Sequence, residues 1–190
     1  MIQGFVVAAF VGLIFLHGCN FVSTESTADN PIAEASVFQQ GNALYATIRL
    51  QPEYLDQLLR EMDHGEPVQA TYRIEFYRAQ DWFFDRRLSQ QVVHRRLRLR
   101  LITQRFEMTE LPQKRLQYTA DEDEAMSFIG FPRYIFIGST VGLPRDHRYY
   151  LNVGFSVEHQ GMSWVLGVLN RILTMSPPVI HEKIAWFQAP

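Results

Sequence analysis

Apolar and polar residues alternate one by one in several segments of this 190-residue chain. The clearest run is Leu44 to Leu50, where leucine, alanine and isoleucine occupy every second position. Successive side chains of a β-strand point to opposite faces, so this alternation predicts a strand with one covered face. The other predicted strands are Tyr72 to Tyr77, Leu97 to Leu101, Gln104 to Met108, Arg115 to Tyr118, Leu151 to Val157 and Ile180 to Phe187.

Between these strands, apolar residues recur with the period of a helix. Pro52 suits the first turn of a helix, and apolar residues recur from there to Met62 with helical period. The pair Thr119 and Glu122 predicts a capping box for a second helix, and the apolar spacing of Met162 to Leu173 predicts a third. No strand–helix–strand repeat is present. The sequence therefore predicts an α+β fold, mainly an antiparallel β-sheet with two or three covering helices.

Twelve apolar residues, Phe5 to Leu16, precede the only cysteine of the chain, Cys19. A helix of that length covers about 18 Å, which is short of a hydrocarbon core about 30 Å thick. The run fits the apolar middle of a signal peptide, and Gly18-Cys19 followed by polar residues is typical of a bacterial lipoprotein signal. We therefore predict acylation of Cys19. An uncleaved anchor or a buried helix is the alternative interpretation of the same residues.

These features divide the chain into three parts. Residues 1–19 are predicted to be a lipoprotein-type signal peptide, and residues 20–42 a flexible tether of small and polar residues. Residues 43–190 are predicted to form a single β-rich globular domain, for which the hydrophobic content of 47% is sufficient. With its one thiol acylated, the domain has no internal disulfide and depends on its core for stability.

The order of several landmarks resembles a bacterial family known as domain of unknown function 4390. They are the strand Leu44 to Leu50, the helix that leads to Gly65-Glu66-Pro67, the run Tyr72 to Arg78 followed by Trp82 to Arg86, and the strand Tyr149 to Val157. The similarity covers roughly Leu44 to Phe187. The resemblance implies an exported envelope protein without an assigned activity, so it transfers no functional residues to this sequence.

Arg96, Arg98 and Arg100 alternate along one predicted strand, and no acidic residue occurs between Asp85 and Glu107. The strand rise places neighbouring members of this arginine stripe about 7 Å apart on one face. Such a stripe suits the anionic groups of lipids or contact with a partner protein. The alternative is an ordinary exposed strand face, in a hairpin whose arginines pair with Glu75 and other acids.

Three consecutive aromatic residues, Trp82, Phe83 and Phe84, lie in the turn between two predicted strands. Exposed, they would form an interaction tip. The alternative is that they fold back onto the core, as large aromatic side chains usually do.

Metal and catalytic patterns are weak. Asp121 to Glu124 lack the spacing and glycine of a calcium loop and suit the first turn of a helix. His181-Glu182 begins like a zinc-protease helix, but the second ligand position holds Ala185. Ser139 stands one place too early for a nucleophile elbow. The sequence therefore predicts no catalytic residues, no metal site and no cofactor, and we expect a protein that is not an enzyme.

Two classes of function remain. The first is a lipid-anchored, non-catalytic envelope protein that binds a partner protein through the arginine stripe or the aromatic turn. The second is a carrier of a lipid or other amphiphile, in a crevice between the sheet and the Met162 to Met175 helix. In both, acylated Cys19 would hold the protein on the periplasmic side of the cell envelope, and Asn20 after it favours the outer membrane. Nucleic acid is not an expected partner, since the net charge is −2.

Overall fold

The computed structural model describes residues 30–62, 65–82, 84–159 and 180–188. Within these ranges the chain forms nine strands and two helices. In chain order they are β1 (Ile32–Gln40), β2 (Ala43–Leu50), α1 (Pro52–Met62), β3 (Val68–Arg78), β4 (Arg86–Arg100), β5 (Arg105–Leu111), β6 (Arg115–Thr119), α2 (Glu122–Gly130), β7 (Ile135–Ser139), β8 (Arg148–His159) and β9 (His181–Gln188).

The strands form two antiparallel sheets. The larger has six strands in the order β6-β5-β4-β3-β8-β9, and the smaller has three in the order β1-β2-β7. Every pairing in both sheets is antiparallel. The predicted α+β fold, mainly antiparallel sheet with a few helices, is confirmed. The predicted strands and the helix that begins at Pro52 also occur at their expected positions.

The core lies between the two sheets. Its side chains come from alternate positions of three strands: Leu44, Ala46, Ile48 and Leu50 of β2, Val68, Ala70, Tyr72, Ile74 and Phe76 of β3, and Tyr149, Leu151, Val153 and Phe155 of β8. Burial of these two apolar faces against each other is the main force that holds the sheets together. The opposite face of the six-stranded sheet remains in contact with solvent, and we call it the outer face.

The helices close the core at its open side. α1 buries Leu58 and Met62, and α2 buries Ala125 and Ile129. The hydroxyl of the fully buried Tyr72 donates a hydrogen bond to the carbonyl of Ile129. Because burial raises the pKa of Tyr72, that hydroxyl stays protonated and remains a donor. The contact fixes the end of α2 against β3.

Side chains of the six-stranded sheet reach both edges of the three-stranded sheet. Ser89 of β4 donates a hydrogen bond to the carbonyl of Ile137 in β7. At the other edge, Lys183 of β9 donates to the carbonyl of Ile32 in β1, at 3.3 Å. These bonds satisfy backbone groups that an edge strand otherwise leaves unpaired.

The folded part begins earlier than the sequence predicts. β1 lies inside the segment 20–42, so the prediction of a flexible tether is wrong for these residues. Ile32 is buried, and Ala35 and Val37 pack against the core. Pairing with β2 along most of its length satisfies the backbone of β1 and outweighs its polar composition. The predicted signal peptide, Cys19 and residues 20–29 lie outside the described residues.

The start of α2 also differs from the prediction, because Asp121 and not Thr119 is the N-cap. The Asp121 carboxylate accepts hydrogen bonds from the backbone nitrogens of Asp123, at 2.9 Å, and Glu124, at 3.3 Å. The Thr119 hydroxyl accepts instead from the Asp121 nitrogen, at 3.0 Å. Thr119 is the last residue of β6, so it lies too early in the chain to cap the helix.

The structure places the remaining sequence patterns as follows. Asp121 to Glu124 form the cap and first turn of α2, where the helix dipole stabilises carboxylates. His181 to Ala185 belong to the strand β9, which excludes a zinc-protease helix there. The predicted helix at Met162 to Leu173 lies outside the described residues. No helix within the described ranges is both long and apolar enough to cross a membrane.

Candidate interaction surface

The turn between β3 and β4 directs aromatic side chains into solvent. The exposed fraction is 90% for Trp82 and 99% for Phe84, while Phe83 lies outside the described residues. Trp82 and Phe84 therefore do not fold back onto the core. Contiguous exposed apolar side chains are what an interaction tip requires, whereas single ones are ordinary on a surface.

Asp85 attaches this turn to the six-stranded sheet. One carboxylate oxygen accepts a hydrogen bond from the backbone nitrogen of Gln80, at 3.0 Å, and the other from the hydroxyl of Tyr150 in β8, at 2.8 Å. A single side chain thus closes the turn and links it to a neighbouring strand. These two bonds fix Asp85, the residue that follows Phe84, against Gln80 and β8.

Beside the turn, three aromatic rings cross the outer face of β3, β8 and β9. Tyr77 and Tyr150 stack with ring centroids 5.0 Å apart, and Tyr150 contacts Trp186 at 4.8 Å. The three residues stand directly opposite one another in the register of the sheet. The guanidinium of Arg148 lies 4.6 Å from the centre of the Trp186 ring. We call the surface formed by Trp82, Phe84, Tyr77, Tyr150 and Trp186 the aromatic end.

Burial, together with hydrogen bonds, favours the neutral form of Tyr77 and Tyr150. Burial and the bond to Asp85 raise the pKa of Tyr150, and burial with the bond to Glu75 raises the pKa of Tyr77. Glu75 also forms an ion pair with Arg87 across the hairpin, at 2.9 Å. Glu75 thus meets an arginine of the neighbouring strand, but this arginine is Arg87 and not one of the stripe, so the expected pairing of Glu75 with the stripe is wrong. Both tyrosines stay neutral at physiological pH and hold their rings in fixed positions.

A groove of about 400 Å³ lies between the turn and the residues that precede β8. Trp82 and Asp81 line one side, and Asp146, His147 and Arg148 line the other. His147 contacts the Asp146 carboxylate at 2.8 Å, and this hydrogen bond lowers the pKa of Asp146. The groove thus combines an aromatic wall with charges of both signs. Such a surface can bind by stacking, by apolar contact and by paired charges.

The arginine stripe lies elsewhere on the outer face. Arg96 stands opposite Gln69 near the start of β3, whereas Tyr77 lies eight residues further along that strand, about 26 Å away. The structure therefore does not bring the stripe and the aromatic turn together. Arg98 and Arg100 are exposed, while Arg96 is half-buried.

The stripe is also partly neutralised. Arg100 forms a bidentate contact with Glu107, at 2.6 Å from each of two nitrogens, and lies over the ring of Tyr118. Arg95 points to the other face of β4 and pairs with Glu110, at 2.7 Å. The alternative interpretation, an exposed strand face whose arginines pair with acids, thus accounts for Arg100. In the described part of the chain, Arg96 and Arg98 form no ion pair.

Residues 29–173 match the family described as Domain of unknown function (DUF4390). The chain belongs to this family. The match begins just before β1 and ends ahead of β9, so it covers most of the two-sheet fold. We find no match among curated proteins or among solved structures.

This DUF4390 protein carries a second exposed aromatic cluster that the sequence did not indicate. It lies on the side of the three-stranded sheet that faces away from the core and consists of Phe38, Tyr45, Tyr134 and Phe136. Tyr134 is 66% and Phe136 51% exposed. Strand pairing brings them together from β1, β2 and β7, of which only β2 was predicted.

The sequence indicated only some of the residues that form the aromatic end of the DUF4390 protein. Trp82 and Phe84 stood out as a run, but Tyr150 and Trp186 belong to it only because β8 and β9 pair in one particular register. Among the residues that the structure describes, no group of three or more His, Cys, Asp or Glu side chains is placed to hold a metal ion.

Proposed function

We propose that this chain is a lipid-anchored, non-catalytic protein of the bacterial cell envelope that binds a partner protein through the aromatic end. The observation that supports binding most strongly is the exposure of Trp82 and Phe84 on a turn fixed by Asp85. Tryptophan, tyrosine and arginine are the residues that dominate binding energy at protein interfaces. Trp186 with Arg148 adds a second such element on the same surface.

The charges around the aromatic end favour a protein as partner. Asp81 and Asp146 line the same groove as Arg148, so both signs of charge are present. A nucleic acid or an anionic membrane requires a surface of one sign, whereas protein interfaces pair charges of both signs around an apolar centre. The half-exposed Trp186 extends the apolar area beyond the turn.

The anchor is proposed from the sequence. Acylation of Cys19 would attach the chain to a membrane on the periplasmic side, and we propose the outer membrane because Asn20 follows the cysteine. Lipoprotein processing supplies more than one acyl chain, and two or more chains hold a protein stably on a bilayer. The partner is then expected to be another envelope protein.

Site-specific photocrosslinking in the cell tests this proposal. We expect benzoylphenylalanine in place of Phe84 to capture a discrete envelope protein, because an exposed anchor residue lies at the centre of the proposed contact. Two matched aromatic positions serve as controls: Tyr118, exposed on the outer face of β6, and Phe136, in the second aromatic cluster. Neither should capture the same protein.

The outcome distinguishes the proposed function from its rivals. Capture from Phe136 but not from Phe84 would place the partner on the three-stranded sheet and contradict the proposal. Recovery of lipid instead of protein from Phe84 would favour the amphiphile carrier. The crevice predicted for such a carrier, beside Met162 to Met175, lies outside the described residues, so no observed contact supports it.

A further inference from the structure

The turn between β4 and β5 exposes aliphatic side chains at the end of the sheet opposite to the aromatic end. Ile102 is 100% and Leu101 55% exposed. Leu101 packs against Gly65: a Cβ atom at residue 65 would lie 3.1 Å from the end of the Leu101 side chain. Ile102 extends beyond that support. We call Leu101, Ile102 and Thr103 the β4–β5 tip.

Arginines surround this tip. Arg98, Arg100 and Arg105 are exposed on the outer face of β4 and β5, immediately beside it. Among the described residues near the tip, these three arginines stand against two acids, Glu107, which pairs with Arg100, and the half-buried Glu66, so one positive charge is in excess. A groove of about 550 Å³ next to the tip combines Arg98 and Arg100 with the aliphatic side chains.

The register of the two strands shows which of these arginines remain available to a ligand. Arg98 stands directly opposite Glu107, and Arg100 stands directly opposite Arg105. The Glu107 carboxylate bonds to Arg100, which relieves the repulsion that two facing arginines would otherwise create in the sheet. Within the described ranges, neither Arg98 nor Arg105 forms an ion pair.

We infer that the β4–β5 tip contacts an anionic lipid bilayer. Ile102 enters the boundary between headgroups and acyl chains, and Arg98 and Arg105 bind lipid phosphates. Exposed aliphatic side chains framed by cations are what binding to an anionic membrane surface requires. The aromatic end differs on both counts, because its side chains are aromatic and its charges are mixed. The two ends of the sheet are thus suited to different surfaces.

The N-terminal segment is long enough for the β4–β5 tip and the lipid anchor to contact the same membrane. The orientation that results rests on the proposed anchor. Asn30 bonds to the backbone of Glu182, which lies level with Val92 in β4 through the register of the sheet. Leu101 follows Val92 by nine residues, or about 30 Å. The eleven residues from Cys19 to Asn30 span at most about 40 Å. With the tip on the membrane, the aromatic end points away from it.

Depth-dependent fluorescence on reconstituted full-length protein tests the inference. Thr103→Cys is labelled with an environment-sensitive dye, and the protein is placed in vesicles of phosphatidylcholine and phosphatidylglycerol in equal amounts, or of phosphatidylcholine alone. We expect a blue shift and quenching by spin-labelled lipid on the anionic vesicles only. The same dye at Gln113→Cys, on the exposed turn between β5 and β6, should remain in water in both.

Charge variants identify the cause of any insertion. Each cation near an anionic surface contributes about fivefold to membrane partition, so Arg98→Glu with Arg105→Glu should lower the ratio of inserted to exposed tip by about 25-fold or more. Arg145→Glu, an exposed arginine far from the tip, is the matched control and should change nothing.

Three results would overturn the inference: a dye at residue 103 that stays in water on anionic vesicles, equal insertion into both kinds of vesicle, or a change that appears only when envelope proteins are added. The number of dye molecules bound per protein shows separately whether the anchor is present, because an unacylated Cys19 takes up a second dye. Failure of the anchor is therefore visible independently of the behaviour of the tip.

Discussion

Alanine at both Trp82 and Phe84 is expected to weaken binding of the envelope partner by about 100-fold or more, because a single truncated aromatic anchor commonly costs about 2 kcal/mol. Both side chains are almost fully exposed in the free protein, so they have most of their surface available for burial in a complex. The measurement is the dissociation constant of the purified variant for the protein captured from Phe84.

The fold should not change in this double variant. Substitutions of exposed side chains usually alter the free energy of unfolding by no more than about 0.5 kcal/mol. Leu116→Ala, which removes an exposed apolar side chain of β6 that lies level with Gln69 in the register of the sheet, is the matched control for lost apolar surface. Wild-type affinity of the Trp82→Ala/Phe84→Ala protein would show that the turn is not the contact.

Arg95→Ala is expected to lower the free energy of unfolding by about 2 to 4 kcal/mol, somewhat less than the loss of one partner of a fully buried ion pair. The pair is part-buried, with the Arg95 side chain 12% and that of Glu110 16% exposed. Arg95 also donates a hydrogen bond to the carbonyl of Phe128, in the last turn of α2, and lies 4.9 Å from the centre of its ring. Truncation leaves a part-buried carboxylate and a helix carbonyl without their partner.

Urea denaturation of three proteins checks this account. Arg98→Ala, on the same strand but on the exposed face, should change the free energy of unfolding by no more than about 0.5 kcal/mol. Arg95→Met combined with Glu110→Met should recover most of the loss, because well-packed apolar residues can replace a buried ion pair. Equal losses for Arg95→Ala and Arg98→Ala would contradict the assignment of Arg95 to the interior.

Local periodicity was sufficient to predict the elements whose own residues alternate clearly. β2, β3 and β8 each present buried side chains at every second position, and burial in one core is what maintains that pattern. The helical period of its apolar residues likewise predicted α1, with Pro52 at its start. The hairpin of these two strands was predicted, but its register was not: Glu75 lies opposite Gln90 and pairs with Arg87 instead of an arginine of the stripe.

Elements that depend on distant partners were not visible in the sequence. β1 is stable because it pairs with β2 and because Ile32 is buried, yet its composition is that of a linker. The stacking of Tyr150 on Tyr77 and Trp186 requires the register of three strands. A shift of one residue would turn any of these rings to the other face, and the sequence does not fix that register.

The proposed function assumes that the domain is displayed on an envelope membrane, and the intact mass of native protein recovered from that membrane tests this most directly. We expect a chain that begins at Cys19 and carries acyl groups, with incorporation of labelled palmitate abolished by Cys19→Ser. A polypeptide that begins at Met1, retains a free thiol and fractionates with the cytosol would contradict the account.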